Sequence, residues 1–220
     1  MTAFEIFELG DHALVATAVD AVSFETQRCI WRIAESARGW PEVEEAIPGM
    51  NNVTLIFDPL TTDLAALRSA FEVACTESGE AVAAATVPGE LIELPVRYGG
   101  ADGPDLEIVA RQAGISVDEV VERHSAPDYT VFFIGFQPGF AYLGGLDPQL
   151  ATPRRQEPRI AVPPGSVGIG GAQTGIYPMA SPGGWQLIGR TAEVLFDPAR
   201  AEPARLEPGD RVRFVPTGVA

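Results

Sequence analysis

The sequence contains no lysine, and all 15 of its basic residues are arginine. Schiff-base chemistry and the lysine-dependent phosphate loop of many nucleotide-binding proteins are therefore excluded. Only two histidines occur, and neither stands in a Cys/His/Asp cluster at ligand spacing, so we expect no metal site. The two cysteines, Cys29 and Cys75, each lie among apolar residues of a predicted helix. That setting favours buried free thiols over a disulfide or a metal site.

Long apolar runs are also missing. No stretch approaches the roughly 20 apolar residues that a membrane-spanning helix needs, and the first residues, MTAFEIFELGDH, carry acids where a signal peptide carries bases. We therefore expect a cytoplasmic protein with no membrane partner. The formal net charge of -15 would repel phosphodiester backbones, so nucleic acid is not an expected partner either.

The composition changes along the chain, which has 220 residues, 46% of them hydrophobic. This length can bury one large core or two modest ones. An alanine-rich stretch over residues 80–88 lacks periodicity, and the sequence after it is dense in glycine and proline. We predict a domain boundary near Val87, with one domain over residues 1–87 and a second over 88–220.

The first domain shows two rounds of strand and helix patterns. The predicted elements are strands at Phe4–Leu9 and Ala13–Val19, a helix opening near Ser23, strands at Val43–Ile47 and Val53–Phe57, and a helix from Thr62. Apolar residues in the first helix recur at the spacing of one buried face. This order predicts a small α+β domain, an antiparallel sheet with two helices on one face.

The second domain begins with a strand and two short helices, followed by many short strands. A strand is predicted at Leu91–Tyr98, a helix between Pro104 and Gly114, and a helix that starts with the capping box of Ser116 and Glu119 and ends near His124. Further strands are predicted at Tyr129–Phe136, Arg159–Val162, Trp185–Gly189, Val194–Phe196 and Val212–Val215. Short strands separated by Gly/Pro turns favour a closed barrel or a sandwich.

An electropositive segment lies between Tyr129 and Arg190. It holds only two acids against four arginines: Arg154, Arg155, Arg159 and Arg190. The planar guanidinium group suits carboxylate or phosphate, although each arginine taken singly is as well explained by a surface ion pair. The clustering favours a binding site for an anionic ligand.

The same segment is rich in glycine and in neutral polar residues. It contains 12 of the 23 glycines, whose amides can form anion-binding loops, although for most of them individually a structural turn is the better explanation. Four side chains between these glycines are expected to orient a small ligand: Gln173, Thr174, Tyr177 and Ser181. His124, at a helix end, is a candidate general acid or base, or a histidine stabilised by the helix dipole.

Several ordered motifs carry a family resemblance. They are Tyr129-Thr-Val-Phe-Phe-Ile-Gly-Phe-Gln-Pro-Gly-Phe-Ala-Tyr-Leu-Gly-Gly-Leu, Pro153-Arg154 with Pro158-Arg159, Val162-Pro-Pro-Gly-Ser-Val-Gly-Ile-Gly-Gly-Ala-Gln-Thr-Gly-Ile-Tyr-Pro, and Ser181-Pro-Gly-Gly-Trp-Gln-Leu-Ile-Gly-Arg-Thr. With Pro95-Val-Arg-Tyr-Gly-Gly and Gly103-Pro-Asp-Leu, they resemble the B subunit of bacterial 5-oxoprolinase. This family is also known as Kip-type sporulation kinase inhibitors and as allophanate hydrolase subunit 1.

The resemblance implies a fold and an activity. The implied fold is a small α+β N-terminal domain followed by a cyclophilin-like β-barrel. The implied activity is the ATP-dependent hydrolysis of 5-oxoproline to glutamate by a complex with the C and A subunits of 5-oxoprolinase. In such a complex the B and C subunits carry the ATP-dependent activation, the A subunit opens the ring, and ATP is bound jointly with a partner subunit.

Residue type and motif position together suggest roles within such a complex. Arg154, Arg159 and Arg190 would contact anionic groups, with Arg159 also catalytic because it would stabilise negative charge on the lactam oxygen. His124 would transfer a proton. The neutral side chains Gln173, Thr174, Tyr177 and Ser181 would orient the substrate.

Two other functions stay open at this point. A regulatory module that binds a sensor histidine kinase and inhibits it is implied by the family's other name. A prolyl isomerase is suggested only by analogy of fold, which is a weak argument because one fold hosts many functions.

Overall fold

A computed structural model describes residues 2–80 and 89–219 of the chain. The chain divides into two compact units, Met1–Val87 and Pro88–Ala220. The junction predicted near Val87 itself lies outside the described residues. Among the helices that are described, none is both long enough and apolar enough to cross a membrane.

The N-terminal unit is an antiparallel sheet with two helices. Its elements are β1 (Phe4–Glu8), β2 (Ala13–Ala18), α1 (Phe24–Ala37), β3 (Glu45–Pro48), β4 (Asn52–Ile56) and α2 (Leu64–Glu80). The strand order is β1-β2-β4-β3, and all pairs are antiparallel. The predicted small α+β unit is confirmed.

Helix α1 begins where the sequence indicated. The Ser23 hydroxyl accepts a hydrogen bond from the Thr26 amide at 3.0 Å, which satisfies an otherwise unpaired donor of the first turn. One face of α1, including Ile30 and Ile33, packs in a single apolar core with Phe71 of α2 and with the sheet. Helix α2 starts two residues later than predicted. The cap there is Asp63, whose carboxylate accepts from two amides of the first turn at 3.1 Å.

The C-terminal unit carries two helices and nine strands among its described residues. They are β5 (Leu91–Tyr98), α3 (Leu106–Ala113), α4 (Val117–Ser125), β6 (Tyr129–Ile134), β7 (Ala141–Gly144), β8 (Arg159–Val162), β9 (Ser166–Gly170), β10 (Gln173–Ile176), β11 (Ser181–Gly183), β12 (Gln186–Arg190) and β13 (Arg211–Val219), with a 3₁₀ turn at Pro148–Leu150. The predicted capping box is present, because the Ser116 hydroxyl accepts from the Glu119 amide at 3.1 Å.

Seven of these strands close into a barrel in the order β10-β7-β6-β13-β5-β12-β9, and β8 and β11 form a separate two-stranded sheet. Strand β5 closes the barrel by pairing with β13 in parallel and with β12 antiparallel. The predicted architecture of an α+β unit followed by a β-barrel is therefore confirmed.

The prediction of individual strands was less complete. Strands β7, β9, β10 and β11 were missed because their glycines weaken the propensity signal that a strand normally shows. The strand predicted at Val194–Phe196 is wrong, since that segment makes only an isolated bridge between Phe196 and Ala204. Short, glycine-rich strands are stabilised by neighbours on both sides in a closed barrel, and that tertiary pairing is not visible in local sequence.

A tight turn connects β5 to α3 and lies directly against β12. Gly103 donates to the Gly99 carbonyl at 2.7 Å, and Gly99 donates to the Ile188 carbonyl at 3.1 Å. A Cβ atom at Gly103 would overlap the Ile188 carbonyl. Only glycine therefore lets the turn approach β12 so closely.

Gly103→Ala is expected to lower the free energy of unfolding by about 1–3 kcal/mol, because the backbone of β12 cannot move away without loss of barrel hydrogen bonds. The measurement is denaturant unfolding followed by near-ultraviolet circular dichroism. Gly184→Ala is the matched control: an added Cβ there meets nothing nearer than 3.8 Å, so a change within about 0.5 kcal/mol is expected. Equal losses in the two variants would contradict the steric explanation.

Candidate functional site

A cluster of aromatic side chains lies on one side of the barrel. Its members are Phe133, Phe136, Phe140, Tyr142, Tyr177 and Trp185. Phe140 is buried at the centre, with ring centroids 5.2 Å from Tyr177 and 5.5 Å from Trp185. Tyr142 stacks on Phe133 at 4.3 Å, and both rings are partly exposed. The aromatic cluster thus combines a packed base with an accessible edge.

Phe136 is the most exposed member of the aromatic cluster. It adopts a φ of 66°, a left-handed backbone conformation that a bulky residue rarely takes. Its side chain is 61% exposed and stands edge-on to Phe140 at 5.5 Å and to Tyr177 at 6.3 Å. A strained backbone that presents an aromatic ring to solvent is typical of a contact site rather than of core packing.

Glycines make room for the Trp185 ring. A Cβ atom at Gly170 would overlap the indole, and one at Gly175 would lie 3.2 Å from it. Gly170 pairs with Gln173 in the register of β9 and β10, and directly opposed residues project to the same face of a sheet. Gln173 therefore lies on the face that carries Trp185.

Arg154 lies against the aromatic cluster. Its guanidinium carbon lies 5.8 Å from the centre of the Trp185 ring, in reach of a cation–π interaction. The side chain is exposed, and it forms no ion pair within the described part of the chain. Burial raises the pKa of Tyr177 and of Tyr142, and the charge of Arg154 opposes both shifts. Both phenols are therefore neutral hydrogen-bonding groups near physiological pH.

Two of the predicted binding residues, Gln173 and Ser181, carry a polar side-chain atom that is buried. Over the described residues, neither the side-chain nitrogen Nε2 of Gln173 nor the hydroxyl group of Ser181 forms a hydrogen bond. Ser181 pairs with Val162 in the two-stranded sheet, and Val162 packs in the same apolar cluster as Tyr177 and Trp185. Unsatisfied buried polar atoms are costly, and a bound ligand or water is their ordinary explanation.

Arg159 has a different position from Arg154. Its guanidinium donates to the buried carboxylate of Asp105 at 2.8 Å, and Arg155 approaches the same carboxylate at 3.5 Å. Asp105 is 2% exposed and also accepts from the Leu187 amide at 2.7 Å. The carboxylate thus ties the start of α3 to β12 and, through Arg159, to β8. Sequence reasoning missed Asp105, although it lies in the Gly-Pro-Asp motif.

His124 and Thr174 lie inside the barrel instead. The Nε2 and Nδ1 atoms of His124 are 2.9 Å from the Thr174 hydroxyl and 2.8 Å from the Tyr98 hydroxyl. The Thr174 hydroxyl donates to the Gly168 carbonyl, so it accepts from Nε2–H, and Nδ1 accepts from Tyr98. His124 is 0% exposed. This geometry supports a structural role, because neither ring nitrogen can reach a ligand outside the barrel.

Arg190 lies away from the other predicted binding residues. It is exposed, donates to the Pro164 carbonyl at 2.9 Å, and lines a separate cavity that none of the aromatic side chains lines. The structure places Arg154 and Tyr177 against Trp185, and Gln173 on the same face of the sheet. Ser181 is paired with Val162 of the apolar cluster that contains Trp185. Arg159 stands behind this group, where it pairs with Asp105.

Arg159→Met is expected to lower the free energy of unfolding by about 1–3 kcal/mol, because the buried Asp105 carboxylate loses its closest cation. Urea denaturation provides the measurement. Arg154→Met removes the same charge from an exposed side chain and should change stability by less than about 0.5 kcal/mol. If the two variants were equally stable, the pairing with Asp105 would carry no structural weight.

Burial lowers the pKa of His124 to about 3, so the imidazole stabilises the fold in its neutral form. This contribution is complete above the ordinary histidine value of about 6.5 and is lost as the pH falls toward 3. We expect the free energy of unfolding to fall over this range, with up to about 1.4 kcal/mol per pH unit from this residue. His124→Gln should flatten the profile measured by denaturation at several pH values. A profile unchanged by His124→Gln would refute the assignment.

The chain is similar to bacterial proteins over nearly its whole length. It is 53% identical to the 5-oxoprolinase B subunit of Escherichia coli O157:H7 over 209 residues, which are 94% of this chain and 94% of that protein. It is 37% identical to the 5-oxoprolinase B subunit of Bacillus subtilis, covering 96% of this chain and 92% of the relative.

Solved structures show the same fold. A conserved uncharacterized protein of Pyrococcus horikoshii is 41% identical with a TM-score of 0.57, and the match covers 97% of this chain and 98% of that one. The urea carboxylase of Kluyveromyces lactis has a TM-score of 0.81 at 21% identity, and the match covers 97% of this chain but only 22% of that one. At this identity the similarity concerns the fold alone.

The family model of the carboxyltransferase domain, subdomain C and D, matches residues 4–206. Together with the relatives of 37% and 53% identity, this match covers both units of the chain. The chain therefore belongs to the carboxyltransferase domain, subdomain C and D, family and groups within it with the B subunits of bacterial 5-oxoprolinases.

Proposed function

We propose that this chain is one component of an ATP-dependent 5-oxoprolinase complex, acting with the C and A subunits to hydrolyse 5-oxoproline to glutamate. The observation that carries the proposal is the exposed Arg154 guanidinium over Trp185. Gln173 lies on the same face of the sheet as Trp185, and its buried side-chain donor has no partner over the described residues. The names and the nearly full-length coverage of the relatives support it.

This site fits the chemistry of 5-oxoproline. The substrate carries one carboxylate, an apolar five-membered ring and a lactam group. Arg154 would pair with the carboxylate, and the ring methylenes would pack against the accessible edge of the aromatic cluster. The side-chain Nε2 of Gln173, a donor without a partner over the described residues, would donate a hydrogen bond to the lactam oxygen.

The same donor assists the proposed reaction. Transfer of the terminal phosphoryl group of ATP to the lactam oxygen releases ADP and makes the ring carbon electrophilic. Attack by water then opens the ring, and a further water releases phosphate and leaves glutamate. Negative charge on the lactam oxygen is stabilised by a donor already in place. Arg159 acts here as a positioning residue, because its contacts are with Asp105 and, at 3.5 Å, with the Trp185 carbonyl.

ATP would be bound jointly with a partner subunit. The sequence lacks lysine and any Gly-Lys-Ser/Thr phosphate loop, so this chain offers only arginines and backbone amides to the phosphates. The accessible edge of the aromatic cluster and the exposed Phe136 supply an apolar surface on which a partner could close the site. A site shared between subunits predicts that this chain is inactive alone.

The test measures ATP-dependent release of glutamate from 5-oxoproline by this chain alone, by the two partners without it, and by all three together. Activity is expected only in the full mixture. Absence of activity in every mixture, with all three proteins folded, would overturn the proposal and leave histidine-kinase binding as the function to examine.

Arg154→Gln is expected to lower kcat/KM for 5-oxoproline in the full mixture by about 10–100-fold, the value of one charge-assisted contact. Arg111→Gln is the matched control, because Arg111 is also exposed and forms no ion pair within the described residues. Its activity should equal that of the unmodified chain. An Arg154→Gln complex with full activity would remove Arg154 from the site.

A further inference from the structure

A cavity of about 560 Å³ opens on the outside of the barrel, apart from the aromatic cluster. Its walls come from β5, from the turn at Pro164–Gly165, from the segment that follows β12, and from Thr217 of β13. Charged side chains at its mouth are Arg97, Asp102, Arg190 and Glu193. This volume suits a small organic molecule.

Two arginines lie side by side in the wall of this cavity. Arg97 of β5 and Arg190 of β12 are directly opposed in the strand register, so their side chains project to the same face. Their neighbours Tyr98 and Gly189 are the adjacent opposed pair, and the buried Tyr98 side chain points to the barrel interior. Directly opposed like charges are unfavourable in a sheet. Asp102 offsets the charge of Arg97, and an anion bound between the two guanidinium groups would offset that of Arg190 as well.

The acidic side chains at the cavity are already engaged. Asp102 binds Arg97 at 2.6 Å, and Glu193 pairs with Arg205, which does not line the cavity. Arg190 uses its Nε atom to bond the Pro164 carbonyl. Over the described residues its two terminal amino groups have no partner, so an uncompensated positive charge faces the cavity.

The remaining wall is rigid and mostly apolar. Pro95, Pro164 and Pro178 line it together with Val194. Gly165, with a φ of 79°, lies so close to Thr191 that a Cβ atom would overlap the Thr191 carbonyl. The hydrogen bond from Arg190 Nε to the Pro164 carbonyl orients the guanidinium group, which reduces the entropy lost when a ligand binds.

We propose that this cavity is an anion-binding site, in which Arg190 and Arg97 hold the phosphate or carboxylate group of a small molecule and the proline wall contacts its apolar part. The bidentate geometry of guanidinium fits either anion. The site is separate from the one at Arg154, and the inference does not depend on the proposed 5-oxoprolinase activity.

Isothermal titration calorimetry of the full chain at low ionic strength tests the site, with inorganic phosphate as one probe and succinate as the other. Low salt is needed because exposed charges are screened within about 10 Å at 0.1 M. We expect at least one probe to bind at one site per chain. Arg190→Gln should weaken that binding at least about tenfold, and Arg97→Gln should weaken it as well, whereas Arg111→Gln should leave it unchanged.

The probe that binds identifies the anion: phosphate alone indicates a phosphoryl ligand, and succinate alone indicates a carboxylate. Binding of neither probe would overturn the proposal. Equal weakening in all three variants would overturn it too, because it would show attraction by overall charge only. A thermal-shift measurement without a probe shows whether each variant is folded. With the probe present, the melting temperature of the unmodified chain should rise, whereas that of Arg190→Gln should not.

Discussion

The buried carboxylate of Asp105 holds the candidate site in place. It accepts from the Leu187 amide and from Arg159, and it therefore joins three segments: the start of α3, strand β12 and strand β8. Trp185 lies two residues before Leu187, so the same contacts fix the indole against which Arg154 lies. A carboxylate this deeply buried is tolerated only when cations and donors surround it. The pairing of Arg159 is thus a structural requirement, and Arg154 is left as the cation that a ligand can reach.

Glycine has a second use in this barrel besides forming turns. Within strands, the missing side chains of Gly170 and Gly144 leave space that is filled by the rings of Trp185 and Phe132. Part of the glycine density in the second half therefore reflects the packing of aromatic rings against the sheet. At Gly103 the space of the missing side chain is filled by backbone instead of a ring, because the Ile188 carbonyl of β12 lies there. The turn before Asp105 can therefore pack directly against β12.

Two arginines of the electropositive segment form no ion pair within the described residues, and they lie in two different places. Arg154 lies over Trp185 of the aromatic cluster, and Arg190 lines the cavity next to Arg97. In sequence these arginines form one segment of positive charge, which suggested a single anion site. The barrel separates them because Arg190 is the last residue of β12, whereas Arg154 lies in the connection before β8. One compositional feature thus supports two distinct binding hypotheses.

Sequence patterns were sufficient to predict the order of helices and strands in the N-terminal unit, the caps at Ser23 and Ser116, the barrel architecture and the family, because these depend on local periodicity, on capping chemistry and on long ordered motifs. Which candidate residues meet depends instead on the packing of the folded chain. Neighbours such as Gln173 and Thr174 project to opposite faces of β10, so one lies on the Trp185 face and the other bonds His124 in the barrel interior. The burial of His124 and the pairing of Arg159 with Asp105 arise from contacts between residues 50 and 54 positions apart in the chain, and no local pattern encodes such distant contacts.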